Sequence, residues 1–456
     1  MGVKLLRFKV RNFRSIREAQ SIDFLRDTPP ANQAPDWASL ARPVTVFLGP
    51  NASGKSNVLL AMRYAFTVIA RSFAWQQGDS LYKPLEVYPF SLDDHSLQEP
   101  SYFEFDFFQA GTRYVYAFEY GLSGVTSESL YYVPKRRLTP CFTRTNTGDG
   151  VEIEFNQSIG LSADDEKLLR RVASPQGLVL SAALRLRLPF LGKVGKALAN
   201  EHFNFISLSD QHLDARFAWV AYMIMTNIAD LDEIGVLMRI ADTGITEARL
   251  DFKALDQAVL KKLEKRNIIS TKQYDEGSSQ FSISIGDADF EPDEAAEILQ
   301  SFRFSHRGEH GSFELRTVDE SYGTLTWLSV APAILRALRQ GSVLIADEID
   351  ASLHQNLLEF IIKSFSSSFS NPHGAQLIIS SHNTNLLEHI KSLDLEPNSF
   401  WFTEKRYHGE TQVYTLDDFE KHPNANYERR YLSGKYGALP SLSPAMLRAL
   451  VSPEEE

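Results

Sequence analysis

The chain has 456 residues, of which 43% are hydrophobic and 23% are charged, and this balance excludes disordered, collagen-like and coiled-coil proteins. Its 58 acidic and 47 basic side chains give a formal charge of -11, so any contact with nucleic acid has to be local. The single cysteine, Cys141, excludes an internal disulfide and a cysteine zinc site, which favours a reducing compartment. Because the longest uncharged apolar run, 217–229, is shorter than the ~18 residues of a membrane span, we expect a cytoplasmic protein without a membrane segment.

The first elements along the chain are a strand, a glycine loop and a helix. Residues 3–10 alternate and are rich in Val, Leu and Phe, which predicts an opening strand. A second apolar run at 45–48 ends in the loop 49–56, and helical periodicity follows in Val58, Leu59, Met62 and Ala65. The order strand, loop, helix is typical of a phosphate-binding unit.

The middle of the chain changes character twice. Residues 101–120 alternate aromatic with polar side chains across Gly111, which predicts a hairpin with one solvated face. From 161 to 270 the pattern is mainly helical and lacks sustained heptads, so we expect an inserted globular lobe and no long coiled-coil arms. Strand character then returns at 281–285, 313–317, 343–346 and 377–379.

The loop 49–56 fits the pattern G-x-x-x-x-G-K-S/T without a mismatch. Backbone N–H groups of such a loop wrap a β-phosphate, the lysine neutralises the β and γ charges, and the serine hydroxyl ligates Mg²⁺. An ordinary tight turn is the alternative interpretation. The predicted nucleotide-binding residues are Gly49, Pro50, Asn51, Ala52, Ser53, Gly54, Lys55, Ser56 and Asn57.

Two acidic residues end the apolar run 343–346. A fully apolar strand belongs in the middle of a parallel sheet, and ligands bind at the carboxyl edge of such sheets. We therefore predict that Asp347, with Ser56, holds Mg²⁺ and that Glu348 polarises the attacking water in phosphoryl transfer. The alternative is a pair of acids at a helix start.

Two further elements complete the predicted site. The run 377–379 delivers His382 to the same sheet edge, where it contacts the γ-phosphate or the water; a lone histidine there is otherwise structural. Ser321, Gly323 and Thr324 begin an apolar helix, and the plain interpretation is an N-cap. The same geometry makes an anion site that points outward and clamps the γ-phosphate of a nucleotide held by another subunit.

This order of motifs resembles the ABC-type ATPases of the SMC, Rad50, RecF and OLD group. The resemblance implies that Lys55, Glu348 and His382 are catalytic, with Asp350 in the D-loop 349–352. The segments FRFSH (302–306), ESYGT (320–324), DEIDASLH (347–354) and YLSGKYGALP (431–440) resemble the stand-alone AAA or ABC ATPases of prokaryotic anti-phage loci, including Rlo-type abortive-infection systems. Ser-Tyr-Gly-Thr stands where that group usually has a Gly-Gly pair.

The predicted fold is α/β, a P-loop NTPase of the ABC type with a mixed or parallel core sheet, an antiparallel β subdomain and an inserted helical lobe. We divide the chain into 1–160, the first part of the core with the β subdomain; 161–270, the helical lobe; 271–395, the second part of the core; and 396–456, a C-terminal extension. Glu404 and the pair 417–418 in that extension faintly resemble a TOPRIM nuclease metal site. The alternative interpretation of the segment is a closing hairpin and a capped helix.

The implied function is a Mg²⁺-dependent ATPase with ATP sites shared between subunits of a homodimer or larger homo-oligomer. By resemblance it acts in anti-phage defence with a separate effector, a nuclease or a toxin. Alternatives are a DNA-repair ATPase of the RecF or Rad50 kind and an OLD-like nuclease. The basic stretch from Lys167 to Lys196 indicates a polynucleotide surface, a solvated helical face or a subunit contact to an acidic neighbour.

Overall fold

The computed structural model describes most of the 456 residues. They are 2–27, 35–75, 85–134, 137–147, 150–199, 202–208, 231–241, 243–251, 300–351, 353–420, 425–440 and 443–451, with isolated positions between 209 and 299. The predicted strand at 281–285 lies outside the described residues.

The described helices and strands follow the order that the sequence patterns predict over most of the chain. The strands are β1 (Lys4–Arg11), β2 (Gln20–Asp23), β3 (Val44–Leu48), β4 (Ser101–Gln109), β5 (Thr112–Gly121), β6 (Gly124–Val133), β7 (Thr139–Asn146), β8 (Val151–Phe155), β9 (Phe203–Ser207), β10 (Ile245–Leu250), β11 (Phe302–Gly308), β12 (Gly311–Arg316), β13 (Val343–Asp347), β14 (Gln376–Ser380), β15 (Phe400–Lys405) and β16 (Thr411–Thr415). The helices are α1 (Trp37–Leu40), α2 (Lys55–Trp75), α3 (Asp94–Gln98), α4 (Ala163–Val172), α5 (Val179–Arg185), α6 (Leu191–Leu198), α7 (Leu231–Ile240), α8 (Tyr322–Gln340), α9 (Gln355–Ser366), α10 (Tyr427–Leu432) and α11 (Pro444–Val451).

The core sheet has the strand order β16-β15-β3-β14-β13-β9 and is parallel except for β16. All residues of β3, β13 and β14 are buried, as expected for strands covered on both faces. Alternate residues of one strand enter two different cores: Val46 packs with α8 and α9, whereas Phe47 packs with α2 and the second sheet. The predicted α/β fold with a mixed core sheet is confirmed.

The second sheet is antiparallel, with the order β2-β1-β4-β5-β6-β7-β8. Its strands β4 and β5 form the predicted hairpin, and β5 alternates between buried and partly exposed positions. The buried side chains of β1 and β4 share one core with those of α2, so α2 lies between the two sheets. By length and composition α2 could cross a membrane, but 67% of its apolar window is buried in this core.

The stretch 161–270 contains strands as well as the helices that we predicted. Within its described part, α4, α5, α6 and α7 are helices, but β9 is the edge strand of the core sheet and pairs with β13. β10 pairs with β11 in a separate sheet with the order β10-β11-β12. The short run FNFIS (203–207) becomes a strand because β13, about 140 residues later, offers an open parallel edge.

The C-terminal segment 396–456 contributes to the core instead of extending from it. β15 lies beside β3, in parallel register with Phe400 opposite Val46, and β16 closes the sheet as an antiparallel edge. The side chains of residues 400–403 are buried on both faces, which explains why this strand ends up inside the sheet. The predicted hairpin is therefore present, in a more central position than we expected.

Candidate functional site

Three neighbouring parallel strands end at one edge of the core sheet, and the predicted site residues follow them. The loop 49–56 comes after β3, Asp347 ends β13, and His382 follows β14. Ser381 N donates to Phe47 O at 3.0 Å, so the strand ends stay aligned beyond the ladder. Parallel pairing therefore brings together residues that lie about 300 positions apart in the sequence.

The loop 49–56 has a backbone that ordinary residues adopt rarely. Gly49, Ala52 and Gly54 have φ values of 154°, 61° and 108°. The glycines also lie against the chain itself: a Cβ at Gly49 would be 2.5 Å from Thr403 O, and one at Gly54 would be 2.1 Å from Thr411 Oγ1. Glycine is thus required here by packing as well as by the turn.

Lys55 is buried, and its ammonium group points back into the loop. Nζ donates to Gly49 O at 2.7 Å and to Pro50 O at 3.1 Å, and it lies 3.5 Å from His382 Nδ1. Burial lowers the pKa of Lys55, while attraction to Asp347 and its acidic neighbours opposes that shift. The cation is held where a bound phosphate chain would meet it.

Asp347 connects the loop to the two strands beside it. Its Oδ1 accepts hydrogen bonds from Ser56 Oγ, at 3.1 Å, and from Ser380 Oγ. The Asp347 side chain is buried, and the carboxylate and hydroxyl oxygens are the ligands that Mg²⁺ prefers. The donor set of Ser56 and Asp347 therefore fits the predicted metal.

Glu348 has a strained backbone and an available carboxylate. Its φ is 55°, in the left-handed region that a non-glycine residue adopts at a cost of about 1–3 kcal/mol. The conformation is held by Glu348 N, which donates to Ser380 Oγ at 2.8 Å. Among the described residues, no hydrogen bond engages the Glu348 carboxylate, so it is free to accept one from a water molecule.

Asp350 and His382 are joined by a hydrogen bond next to Lys55. His382 N donates to Asp350 Oδ2 at 2.9 Å, while Asp350 Oδ1 is buried and has no hydrogen-bond partner among the residues that the structure describes. Partial desolvation and the neighbouring Lys55 cation lower the pKa of His382. A neutral imidazole is the form that this environment favours.

Ser321, Gly323 and Thr324 lie at the start of α8. Ser321 is the N-cap: its Oγ accepts from Thr324 N at 3.1 Å and lies 2.8 Å from Thr324 Oγ1. Gly341 ends α8 in a left-handed turn that leads directly into β13, so helix and strand run in opposite directions. Within the described residues, no hydrogen bond joins Ser321 or Thr324 to the loop 49–56.

Sequence patterns did not identify three residues that hold the loop. Thr403 Oγ1 lies 2.5 Å from Ser53 Oγ, and Thr411 Oγ1 donates to Ser53 O at 2.9 Å. Ser15 Oγ lies 2.7 Å from Thr411 Oγ1 and accepts from Asn57 Nδ2 at 2.7 Å. This chain of buried and half-buried hydroxyl groups fixes the loop to β15, β16 and the first helix turn. No local pattern signals it, because the partners are up to 396 residues apart.

The acidic residues of the C-terminal hairpin do not form the metal site that a TOPRIM nuclease needs. Glu404 Oε2 accepts from Tyr414 OH at 3.3 Å, and Asp418 Oδ2 accepts from Thr415 N at 2.8 Å in a capping box. Across the part of the chain that the structure describes, no group of three or more His, Cys, Asp or Glu residues is suited to hold a metal ion.

A family model described as "AAA domain, putative AbiEii toxin, Type IV TA system" matches residues 44–177 and 226–388, well over half of the chain. Among solved structures, the chain is similar to the SMC head domain from Thermotoga maritima at 15% identity and a TM-score of 0.40, covering 90% of this chain and 98% of that chain. It is also similar to the Smc head domain with a coiled coil and joint from Pyrococcus yayanosii at 10% identity and a TM-score of 0.36, covering 95% and 99%. A search among curated proteins finds no match.

The first prediction concerns Thr411. Thr411→Val keeps the shape of the side chain but removes its hydrogen bonds to Ser53 O and Ser15 Oγ, so the loop loses part of its support. We expect ATP affinity, measured by titration with a fluorescent analogue, to fall about fivefold to tenfold, since one buried hydrogen bond contributes about 1 kcal/mol. Thr415→Val is the matched control, because its hydroxyl donates to Phe400 O at the other end of the hairpin. Equal affinities for the two variants would contradict the prediction.

Proposed function

The chain belongs to the AAA-domain family of putative AbiEii toxins from type IV toxin–antitoxin systems and is an ATPase, and from that premise we propose that it is a Mg²⁺-dependent switch of the ABC type. Two subunits enclose each ATP: one supplies the loop 49–56 with Asp347 and Glu348, and the other supplies the start of α8. Binding closes the assembly and hydrolysis opens it, so the output is a conformational change.

The observation that carries this proposal is the convergence of Lys55, Ser56, Asp347 and Glu348 at one sheet edge. Lys55 neutralises the β and γ phosphates, and the loop amides bind the same oxygens. Ser56 and Asp347 would hold Mg²⁺, which supplies further charge neutralisation on the phosphate oxygens when it is bound.

Glu348 orients the attacking water and withdraws its proton. The free carboxylate and the strained φ of 55° agree with this role, since strain of this kind is concentrated at functional sites. His382, held by its backbone bond to Asp350, lies beside Lys55 and contacts the γ-phosphate through its ring. Asp350 Oδ1, which is buried and has no partner among the described residues, is available to accept a hydrogen bond when the site closes.

The start of α8 serves the ATP of another subunit. Ser321 is exposed, and its oxygen accepts from Thr324 N. If Thr324 Oγ1 also donates to that oxygen, the Ser321 hydrogen is left to donate outward to a γ-phosphate oxygen. The positive end of α8, a helix of 19 residues, adds to the attraction.

The biological role that we propose is a sensor or regulator in prokaryotic anti-phage defence. The family description, which names a putative toxin and a toxin–antitoxin system, supports a role of this class and a separate partner protein, either a nuclease or a toxin. We place its action in the cytoplasm, since its only cysteine is buried and unpaired. The contacts of Glu404 and Asp418 favour this role over an OLD-like nuclease.

The second candidate function is that of a DNA-repair ATPase of the RecF or Rad50 kind, and one surface favours nucleic-acid binding. Arg185, Arg187, Lys193 and Lys196 on α5, α6 and their connection are exposed, and residues 167–200 contain no acidic residue. In contrast, α4 carries three acidic residues in its first turn, which offset its cations. A cluster of exposed positive charge of this kind attracts a phosphate backbone.

The second prediction concerns Glu348. Glu348→Gln should retain ATP binding and lose at least about a hundredfold in hydrolysis, because the base is absent while the cations remain. The closed assembly should accumulate, so the mass in solution with ATP and Mg²⁺, measured by light scattering, should rise above the mass without nucleotide. Glu154→Gln, a change at an exposed position on β8, is the control. Turnover at the wild-type rate would place the base elsewhere.

The third prediction tests the shared site. Ser321→Arg should leave ATP binding intact and abolish hydrolysis, because the hydroxyl that meets the γ-phosphate of the other subunit is lost. Lys55→Ala should abolish ATP binding. A one-to-one mixture of the two inactive variants should recover about a quarter of wild-type turnover, since half of the dimers are mixed and each contains one complete site. A mixture that stays inactive would argue against sites shared between subunits.

The fourth prediction concerns the basic surface. Arg185→Gln with Lys193→Gln should weaken the binding of a DNA duplex and lower the slope of log affinity against log salt by about 2. Lys167→Gln with Arg171→Gln on α4 is the matched control of equal charge change. The nucleic-acid function is wrong if both double variants bind DNA as tightly as the wild type does. It is also wrong if the wild type does not bind DNA.

A further inference from the structure

His306 and Glu320 form a close pair directly before Ser321, and none of the steps proposed above uses it. The distance from His306 Nε2 to Glu320 Oε1 is 2.5 Å, and the two side chains are 15% and 6% exposed. Removing a carboxylate this far from water is costly unless a partner is fixed beside it. The pair therefore constrains where residue 320, and the residue after it, can lie.

The imidazole of His306 is held firmly by its own sheet. His306 lies in β11, the central strand, opposite Ile245 of β10 and Phe313 of β12. Its ring stacks on Phe313 with centroids 5.7 Å apart and an angle of 22° between the planes. The sheet thus fixes the direction in which Nε2 points.

Glu320 joins a short turn to the start of α8. It ends the 3-10 turn Thr317–Asp319, with Glu320 N donating to Thr317 O at 3.2 Å, and Ser321 then caps α8. Its carboxylate therefore precedes the positive end of the helix, where negative charge is favourable. A shift of Glu320 would move the cap of α8 with it.

The unit that carries His306 consists of α7 and the sheet β10-β11-β12. This unit also contacts α8 further along the helix. Trp327 Nε1 donates to Leu237 O of α7 at 2.8 Å, and Arg339 makes two hydrogen bonds to Glu233 of α7 at 2.6 and 2.9 Å. The element α7 leads into β10, which pairs with β11. Contacts before its first residue, in its second turn and in its last turn thus bind α8 to this neighbouring unit.

We propose that His306 and Glu320 are positioning residues for ATP hydrolysis: their bond holds Ser321 at the place where it meets the γ-phosphate bound by the other subunit. The inference rests on the shared site proposed above. It assigns the sheet β10-β11-β12 a part in the reaction, although this sheet contributes no residue to the loop, Asp347, Glu348 or His382. The pair acts on the site of the neighbouring subunit and leaves the subunit's own nucleotide binding unchanged.

The test uses the full chain with one change at His306. His306→Phe keeps a stacking ring but removes the donor, and we expect kcat to fall about tenfold to a hundredfold with unchanged ATP affinity. His306→Gln places an amide donor near the same position and should recover most of that loss. Unchanged kcat in His306→Phe would overturn the inference.

Mixing His306→Phe with Lys55→Ala shows whether a failure lies in this inference or in the proposal of a shared site. In a mixed dimer, the intact loop of the His306→Phe subunit faces the intact α8 of the Lys55→Ala subunit, so activity should recover as it does for Ser321→Arg. Recovery with Ser321→Arg but not with His306→Phe would overturn the inference and leave the shared site standing. Recovery with neither would overturn both. If His306→Phe does not bind ATP, Glu320→Met is judged by the same criteria.

Discussion

The carboxylate of Asp347 is buried at the end of β13. Hydroxyl groups from two other segments donate hydrogen bonds to it: Ser56 of the loop 49–56 and Ser380 of β14. This contact is possible because β13 and β14 are parallel and in register, with Ala346 opposite Ile379. A slip of one residue would turn Asp347 toward the other face and break both bonds. The position of Glu348, whose strained backbone is tied to Ser380, depends on the same register.

The elements around this contact could be predicted where a local pattern carries the information. The apolar runs of β3, β13 and β14 and the loop between Gly49 and Ser56 follow from burial on both faces and from the glycine and lysine spacing. The placement of β9 and β15 could not be predicted in this way. Both are short apolar runs that become core strands only because a distant strand offers an edge.

The support of the site was also beyond the reach of sequence patterns. Thr403 and Thr411 look like ordinary strand residues, and their role follows from a fold that brings the last two strands of the core sheet against the loop. Similarly, His306 occupies an alternating strand, and nothing in its neighbours signals a carboxylate 14 residues later. Hydroxyl and imidazole contacts of this kind depend on distances of a few tenths of an ångström, which residue type alone does not determine.

Charge explains why binding and closure are coupled on the proposed mechanism. The Lys55 cation lies among the carboxylates of Asp347, Glu348 and Asp350, so the edge of the sheet is acidic as a whole. A nucleoside triphosphate adds further negative charge to this edge. One ammonium group whose pKa is lowered by burial does not balance that charge. The remaining attraction has to come from the loop amides, a divalent cation and the positive end of a second helix.

Within one subunit, α8 is fixed by His306, Trp327 and Arg339 to a different unit of the fold, and its capping serine makes no hydrogen bond to the loop among the described residues. On the proposed mechanism, a second subunit supplies that positive end, and the nucleotide becomes the contact that joins the two subunits.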